Sequence, residues 1–182
     1  MADTAWSFPG LRPSLDVIPD VSYAAVLLPL FQDGAHTRLV LTKRPLTMPT
    51  HAGHLAFPGG RPDPGDRGPV DTALREAHEE MGIEPSTVTV LGYLEPIHTV
   101  EFELYVAPVV GRLPDEPDFV PSPREVDRVL LPALSDLRDE RQWRSETWRE
   151  RRVWFFDIEG EVLWGATAMM VRRLLGLGGA EI

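Results

Sequence analysis

Residues 57–82 read FPGGRPDPGDRGPVDTALREAHEEMG, a loop rich in proline and glycine that leads into a helix. We predict the helix from Pro69, a residue type favoured at the first helical position, to Gly82, which suits the left-handed conformation that ends many helices. One helix face carries apolar residues at the i, i+3, i+4 and i+7 positions: Val70, Ala73, Leu74, Ala77 and Met81. This face is therefore expected to pack on a core, and the long loop before the helix is expected to be functional.

Three glutamates of this helix, Glu76, Glu79 and Glu80, stand at i, i+3 and i+4 and share a face beside the apolar one. Carboxylates so close together repel one another unless a cation lies among them. Their oxygens suit a hard ion such as Mg²⁺ or Mn²⁺, but a solvated acidic helix face is the alternative, and the helix by itself favours it. Gly59 and Gly60 shift the balance towards a metal site, because backbone without side chains can approach a metal or phosphate closely.

The composition predicts a single globular domain. The 182 residues include 43% hydrophobic ones, which is enough for one buried core. A formal net charge of -10 disfavours loose binding to nucleic acid or to an anionic membrane. No cysteine is present, which excludes disulfides, thiolate metal sites and cysteine nucleophiles. Neither a signal peptide nor an apolar run of membrane-spanning length is visible, so we expect a cytoplasmic protein.

The rest of the chain predicts strands mixed with two substantial helices. Residues 1–20 contain several prolines and are expected to form an irregular arm on the surface of a domain that spans residues 21–182. Short apolar runs predict strands at residues 21–31, 37–42, 88–94, 102–110, 126–131 and 153–158, and an amphipathic helix at residues 166–175. This arrangement indicates an α/β layered domain.

The loop and helix together resemble the Nudix box, whose pattern is glycine, five residues, glutamate, seven residues and then Arg-Glu-apolar-x-Glu-Glu-x-Gly-apolar. The second half of the pattern is filled by Arg75, Glu76, Ala77, Glu79, Glu80, Gly82 and Ile83. In the first half, Gly60 and Asp66 keep the five-residue gap, but aspartate replaces glutamate and eight residues separate Asp66 from Arg75. This departure weakens the case for a role of Asp66 and leaves the carboxylates of the helix untouched.

Resemblance to the Nudix hydrolases implies an α/β/α sandwich with a mixed β-sheet and metal-dependent hydrolysis of a diphosphate linkage. It implies that Glu76 and Glu80 bind the principal divalent ion, Mg²⁺ or Mn²⁺, and that Glu79 binds a second ion or activates water. The Gly60 carbonyl is implied as a further ligand, and Arg75 as the residue that orients Glu79. Such ions would neutralise the diphosphate and lower the pKa of a water molecule.

The resemblance extends to the coenzyme A diphosphatase branch and covers residues 21–175. That branch carries the signature Leu-Leu-Thr-x-Arg-(Ser or Ala), three residues, Arg, three residues, Gly, three residues, Phe-Pro-Gly-Gly. It is matched here by Leu41, Thr42, Arg44, Gly53, Phe57, Pro58, Gly59 and Gly60. Pro45 replaces Ser or Ala, and Pro49 replaces the second arginine, a candidate phosphate contact that proline cannot make.

Three hypotheses for the function follow. The first is hydrolysis of coenzyme A to adenosine 3',5'-bisphosphate and 4'-phosphopantetheine. The second, favoured by Pro49, is hydrolysis of another nucleoside diphosphate derivative, such as ADP-ribose, NADH or a nucleoside triphosphate. The third is a Nudix domain that regulates by binding a ligand without catalysis, which the intact set of three glutamates argues against. The expected partner is a small-molecule nucleotide, and the oligomeric state stays open, with a homodimer among the alternatives.

Residues outside the helix complete the candidate site. Glu125 matches a position where the wider family often presents a loop carboxylate to the metals, as base or ligand; an exposed loop acid is the alternative. Arg44 and Gly59 are candidates for contacting a substrate phosphate, although Arg44 also suits an ordinary strand end. His51 and His54 have no second pair at zinc spacing, so a loop role near the substrate is favoured.

Two further groups carry weaker signals. His98 and Glu101 lie in a turn-like segment and either line the pocket or serve as surface polar residues. An aromatic group near the C-terminal end is interpreted as core, with stacking of an adenine as the alternative. Its members are Trp154, Phe155, Phe156 and Trp164.

Overall fold

The computed structural model describes residues 6–15, 22–99, 104–115 and 117–179. The strands in these ranges are β1 (Tyr23–Asp33), β2 (His36–Leu39), β3 (Leu41–Lys43), β4 (Leu55–Ala56), β5 (Gly59–Gly60), β6 (Thr89–Tyr93), β7 (Ile97–Thr99), β8 (Leu104–Arg112), β9 (Arg128–Leu130), β10 (Arg144–Trp148), β11 (Arg151–Ile158) and β12 (Glu161–Trp164). The helices are α1 (Pro69–Met81), α2 (Leu134–Leu137) and α3 (Gly165–Leu175). The predicted helix before Gly82 is confirmed, and Gly82 ends it with φ 70°.

The central sheet of the described chain is mixed, as predicted. β1 pairs in parallel with β8 and antiparallel with β2 and β5. β8 also pairs antiparallel with β6 and β7. A parallel pair needs a long crossover connection, and the chain between β1 and β8 contains α1 and the strands that position the candidate site.

β1 is buried on both faces, which explains its nearly continuous apolar sequence. Leu27 belongs to a hydrophobic cluster that includes the buried residues of α1, whereas Leu28 belongs to a second cluster with those of α3. Successive side chains of a strand point to opposite faces, so the two clusters lie on the two sides of the sheet. The predicted α/β/α sandwich is therefore confirmed.

Two smaller antiparallel sheets flank the central one. β3 lies between β4 and β9, and β11 lies between β10 and β12. The strand predicted at residues 37–42 is divided between two sheets: its first part, β2, pairs with β1, and its second part, β3, turns away to pair with β4. This division brings β3 and β4 beside the loop that leads to α1.

The N-terminal arm is only partly described. Trp6 and Phe8 are 8% and 5% exposed and belong to the core cluster on the α3 side, so the expectation of a surface arm does not hold for these two side chains. Residues 1–5 and 16–20 lie outside the described residues, as do the predicted strand starts at Val21 and Phe102. Among the described helices, none has the length and apolar character that crossing a membrane requires.

Candidate functional site

The short strand β5 holds Gly59 and Gly60 against β1 and beside α1. Gly59 pairs with Val26, and Gly60 pairs with Ala25. A Cβ atom at Gly59 would lie 2.4 Å from the Ala25 carbonyl oxygen, and one at Gly60 would lie 2.4 Å from Glu76 Oε1. Neither position has room for a side chain in this arrangement. The two glycines thus let the backbone of β5 reach the carboxylates of α1.

Glu80 is the buried carboxylate of this site. Its residue is 6% exposed, and its Oε1 accepts a hydrogen bond of 3.2 Å from the Gly59 N–H. Burial raises the pKa of the Glu80 carboxyl to about 8; the charges of Glu125 and Glu76 act in the same direction, whereas the Gly59 hydrogen bond and the charge of Arg44 oppose it. The negative form of Glu80 therefore favours a cation beside it.

Glu76 lies one turn before Glu80 and faces Gly60. Its side chain is 18% exposed, and Glu76 Oε1 accepts a hydrogen bond of 3.0 Å from Arg75 Nη1. Burial raises the pKa of the Glu76 carboxyl, and the Arg75 hydrogen bond partly offsets that effect. The carboxylates of Glu76 and Glu80 are thus both partly shielded from solvent, on the side of α1 that faces β5.

Arg75 is fixed from two sides. Arg75 Nη2 donates to Asp66 Oδ2 at 3.0 Å and to the Arg61 carbonyl oxygen at 2.9 Å. Arg75 Nη1 reaches both carboxylate oxygens of Glu79, at 3.4 Å each, in addition to Glu76. The expected contact between Arg75 and Glu79 is present, but it is longer than the contacts with Asp66 and Glu76. Glu79 itself is open to solvent, with 53% of its side chain exposed.

Asp66, whose role the altered spacing was expected to weaken, is held against Arg75. Its side chain is only 6% exposed, and besides Arg75 it accepts hydrogen bonds from Thr72 Oγ1 and from the Asp63 N–H, both at 2.9 Å. The Arg75 hydrogen bond, supported by these donors, lowers the pKa of Asp66 to about 2. The turn from Asp63 to Asp66, closed by an Asp66 N–H to Asp63 carbonyl bond of 2.9 Å, brings the acid back to Arg75 despite the longer gap.

The loop that carries Glu125 is tied to the end of α1. The Ser122 N–H donates to the Glu80 carbonyl oxygen and the Val120 N–H to the Met81 carbonyl oxygen, both at 2.8 Å. These bonds satisfy carbonyls that a helix end leaves without partners. Glu125 is half-buried, and its charge raises the pKa values of both Glu76 and Glu80. The structure therefore places Glu125 within electrostatic reach of the helix carboxylates.

Arg44 and Gly59 are the candidates for substrate contact, and they differ in whether their hydrogen-bond donors already have a partner. Arg44 follows β3 and is half-buried, and its Nε is buried with no hydrogen-bond partner among the described residues. Its charge lowers the pKa of Glu80, so it lies on the same side of the molecule as the carboxylates. A buried donor without a partner suits a phosphate oxygen. The N–H of Gly59 is already used by Glu80.

The donors present fit a divalent ion of the magnesium type. No group of three acidic or histidine side chains within the described ranges is gathered closely enough to hold a metal by itself. Mg²⁺ usually takes one or two carboxylates and completes its shell with water and substrate phosphates. Glu76, Glu80 and the Gly60 carbonyl would supply such a set, and Gly60 lies so close to Glu76 that a Cβ atom on it would be 2.4 Å from Glu76 Oε1.

The remaining candidates are the two loop histidines and the aromatic group, whose members differ in burial. The rings of His51 and His54 lie 5.4 Å apart, and His54 also contacts the Trp164 ring at 4.9 Å. The core interpretation of the aromatic group is confirmed for Phe156, which is 4% exposed, and is wrong for Trp164, which is 41% exposed. Trp154 lies over the Arg172 guanidinium at 3.6 Å.

His98 and Glu101 are not brought to the carboxylates by anything the structure describes. His98 is exposed and lies against the Tyr105 ring at 4.8 Å. Glu101 lies outside the described residues.

Fold and site together define a class of protein. A helix that presents glutamates to a Gly-Gly strand, within an α/β/α sandwich, has the carboxylates, the buried setting and the adjacent cationic donor that hydrolysis of a phosphate anhydride requires. The class is that of hydrolases that cleave diphosphate bonds.

Comparison with known proteins identifies the family. The model of the NUDIX domain matches residues 22–155. The chain is 38% identical over 156 residues to a protein of Photorhabdus laumondii called uncharacterized Nudix hydrolase NudL, over 84% of this chain and 82% of that one. It is 42% identical over 162 residues to Nudix hydrolase 22, chloroplastic, of Arabidopsis thaliana, over 82% of this chain and 53% of that one. The chain belongs to the Nudix hydrolase family.

A solved structure agrees with this assignment at the level of the fold. The Nudix hydrolase of Alicyclobacillus acidocaldarius superposes with a TM-score of 0.56 at 15% identity, covering 90% of this chain and 95% of that one. Nudix hydrolases act on diphosphate bonds of nucleotide derivatives and generally use divalent metals such as Mg²⁺ or Mn²⁺.

Proposed function

We propose that the chain hydrolyses the diphosphate linkage of coenzyme A and releases adenosine 3',5'-bisphosphate and 4'-phosphopantetheine. The observation that carries the proposal is the position of Arg44, the arginine of the upstream signature. Its buried Nε has no partner among the described residues, and its charge acts on Glu80. The signature thus supplies a free phosphate donor beside the carboxylates that would hold the metal.

Each residue of the site has an assigned role in this reaction. Glu76, Glu80 and the Gly60 carbonyl would hold the principal divalent ion. When bound, divalent ions neutralise the diphosphate and make a water molecule a better nucleophile by lowering its pKa. Arg44 donates to a phosphate oxygen and orients the linkage. Gly59 directs Glu80 through its N–H, which is the contact that the geometry supports in place of direct substrate binding.

Glu79 and Glu125 are the two candidates for moving the proton of the attacking water. Glu79 is exposed, and the contacts that it makes within the described ranges are the long ones to Arg75, so it can turn towards a second ion or a water. Glu125 is half-buried on a loop that is anchored to the end of α1, and its charge acts on Glu76 and Glu80. We assign Glu79 to the second ion or to the water, and Glu125 to the base or a further ligand.

One observation favours a second candidate function. Pro49 is exposed and stands where the branch signature has its second arginine, so that phosphate contact is missing. Coenzyme A carries a 3'-phosphate in addition to its diphosphate, whereas ADP-ribose and NADH do not. A Nudix hydrolase that acts on one of these simpler nucleotides would need fewer cationic contacts.

The experiment that separates these functions is incubation with a panel of substrates. Purified protein is mixed with coenzyme A, NADH, ADP-ribose or nucleoside triphosphates, each with Mg²⁺ or Mn²⁺, and the products are separated and identified. We expect coenzyme A to yield the two products named above. Intact coenzyme A together with cleavage of another compound would reject the first function in favour of the second, and no cleavage of any compound would indicate a ligand-binding regulator.

A further inference from the structure

Two tryptophans of the described chain are exposed, and both lie on the sheet of β10, β11 and β12. Trp164 ends β12 and is 41% exposed, and Trp148 ends β10 and is 63% exposed. Exposing a large aromatic surface is unfavourable unless something covers it. The Arg149 guanidinium covers the Trp148 ring at 4.7 Å from its centroid. The His54 ring contacts the Trp164 ring, and the planes of the two rings make an angle of 63°.

Trp164 belongs to a row of rings on the outward face of this sheet. Phe155 pairs with Trp164 across the strands, and the two rings are 6.4 Å apart and within 15° of parallel. Their neighbours Phe156 and Leu163 form the next cross-strand pair and are 4% and 0% exposed. Because side chains alternate along a strand, Phe155 and Trp164 stand on the face that points away from the core.

His54 connects this row to the candidate metal site. The register of β3 and β4, continued by one residue, sets Arg44 opposite His54, and the Arg44 N–H donates to the His54 carbonyl oxygen at 3.0 Å. Opposed residues of an antiparallel pair direct their side chains to the same face, with Cβ atoms about 4.5–5.5 Å apart. β4 leads directly into β5, whose Gly59 N–H donates to Glu80 Oε1. A path therefore leads from the Glu80 carboxylate, past the facing residues Arg44 and His54, to the exposed ring of Trp164.

We propose that Trp164 stacks the planar base of a nucleotide substrate whose diphosphate lies between Arg44 and the carboxylates of α1. A nucleobase offers a π-face to an aromatic ring and is joined to its 5'-diphosphate by a ribose, which the segment of the path at His54 would accommodate. The inference rests on the proposed function in that it needs a nucleotide diphosphate at the carboxylates. It does not require coenzyme A, because ADP-ribose and dinucleotides carry a base as well. Trp164 is then a specificity-determining residue.

The test is a comparison of Trp164→Leu with Trp164→Phe. Both variants keep an apolar side chain at the end of β12, but only phenylalanine keeps a ring. Binding of AMP and of ribose 5-phosphate is measured by calorimetry in the presence of Mg²⁺. Trp164→Leu is expected to weaken AMP binding by about 5- to 100-fold, the range found when a stacking side chain is removed. Trp164→Leu should leave the binding of ribose 5-phosphate unchanged, because this compound has no base. The AMP affinity of Trp164→Phe should stay within about threefold of that of the original protein.

Trp148→Ala is the matched control, because it removes the other exposed tryptophan of the same sheet. We expect it to leave AMP binding unchanged. With a substrate that is turned over, Trp164→Leu raises KM and leaves kcat nearly the same. The inference is overturned if Trp164→Leu binds AMP normally, if it loses AMP and ribose 5-phosphate equally, or if Trp148→Ala has the same effect.

The two proposals can fail separately. If coenzyme A is not cleaved but AMP binding depends on the ring at position 164, the proposed substrate is wrong and the stacking surface stands. If coenzyme A is cleaved and its KM is unaffected by Trp164→Leu, the proposed function stands and the stacking surface is wrong.

Discussion

Asp66 shows how a residue without a direct part in the chemistry can fix the residues that have one. It is buried beside Arg75, and Arg75 in turn donates to Glu76 and Glu79. Asp66 therefore fixes the Arg75 guanidinium, which in turn fixes two carboxylates of the candidate site. Asp66 is a positioning residue, because its buried carboxylate accepts hydrogen bonds from Arg75, from Thr72 and from the Asp63 N–H.

Asp66→Asn is expected to lower stability at neutral pH and to lower it less in acid. The pKa of Asp66 is about 2 in the folded protein, below its ordinary value, chiefly because of the Arg75 hydrogen bond. A lowered pKa stabilises the fold at pH values above the unfolded pKa of about 4, and this contribution is lost as the pH falls towards 2. The difference in melting temperature between the two proteins should therefore be largest near pH 7 and shrink between pH 4 and pH 2.

Asp71→Asn is the control for this variant. Asp71 also pairs with an arginine near the start of α1, but its partner Arg67 is 89% exposed and makes no contact with the glutamates in the described structure. Asp66→Asn should reduce kcat, whereas Asp71→Asn should not. Equal stability of Asp66→Asn and the original protein at every pH would contradict the assigned role.

The glutamates of the site could be predicted because spacing along one helix decides which of them share a face. The spacing of Glu76, Glu79 and Glu80 indicates a shared face, and in the structure one Arg75 nitrogen contacts both Glu76 and Glu79. Their different burial could not be predicted, because Glu80 is covered by β5 and Glu79 is not. The contact between Asp66 and Arg75 could not be predicted, because the turn at Asp63, rather than the number of residues in the gap, sets the distance between them.

At the scale of elements, the strand β5 has only two residues and yet sets the geometry of the candidate metal site. It joins the central sheet at β1 and places Gly60 against Glu76. An added methyl group would have to displace the Glu76 carboxylate, because the carboxylate is the flexible partner of that contact. The integrity of the candidate metal site thus depends on a strand too short to stabilise the fold by itself.

Gly60→Ala is expected to lower kcat by about 10- to 100-fold, since displacements of about 1 Å at an active site can cost that much. The melting temperature should change little, because Glu76 can swing away. Gly65→Ala, in the loop that follows β5, is the matched control: its Cβ would meet no atom within 4 Å, and activity should be unchanged. Full activity of Gly60→Ala would show that the contact between Gly60 and Glu76 is not part of the site.

The elements that could be predicted are the long or strongly apolar ones. β1, β6, β8, β9, β11, α1 and α3 all overlap the predicted segments. The strands that were missed are short or polar: β4 and β5 have two residues each, too few to show a period of two. β10 is exposed along its whole length, so no apolar pattern marks it. Their pairing is set by tertiary contacts rather than by local sequence.

At the scale of the whole molecule, the proposed substrate surface is assembled from three sheets and one helix. The central sheet supports α1 and β5, the sheet of β3 and β4 supplies Arg44 and His54, and the third sheet supplies Trp164. A hydrogen bond of 3.0 Å from Thr167 Oγ1 to the Leu55 carbonyl oxygen joins the start of α3 to β4 and holds the last two parts together. The diphosphate and the base are therefore assigned to opposite ends of one connected surface.

The most direct test of this account is the rate of coenzyme A hydrolysis with Mg²⁺ or Mn²⁺ by the original protein and by Glu80→Gln. Glutamine keeps the shape of Glu80 and an oxygen that accepts from the Gly59 N–H. The substitution also removes a negative charge that burial disfavours, so the melting temperature should be equal or higher. Loss of a metal-binding carboxylate should lower kcat by at least about 100-fold. Glu84→Gln, at an exposed glutamate just after α1, should keep full activity. A Glu80→Gln protein that hydrolyses coenzyme A at the original rate would contradict the assignment of the metal to this helix.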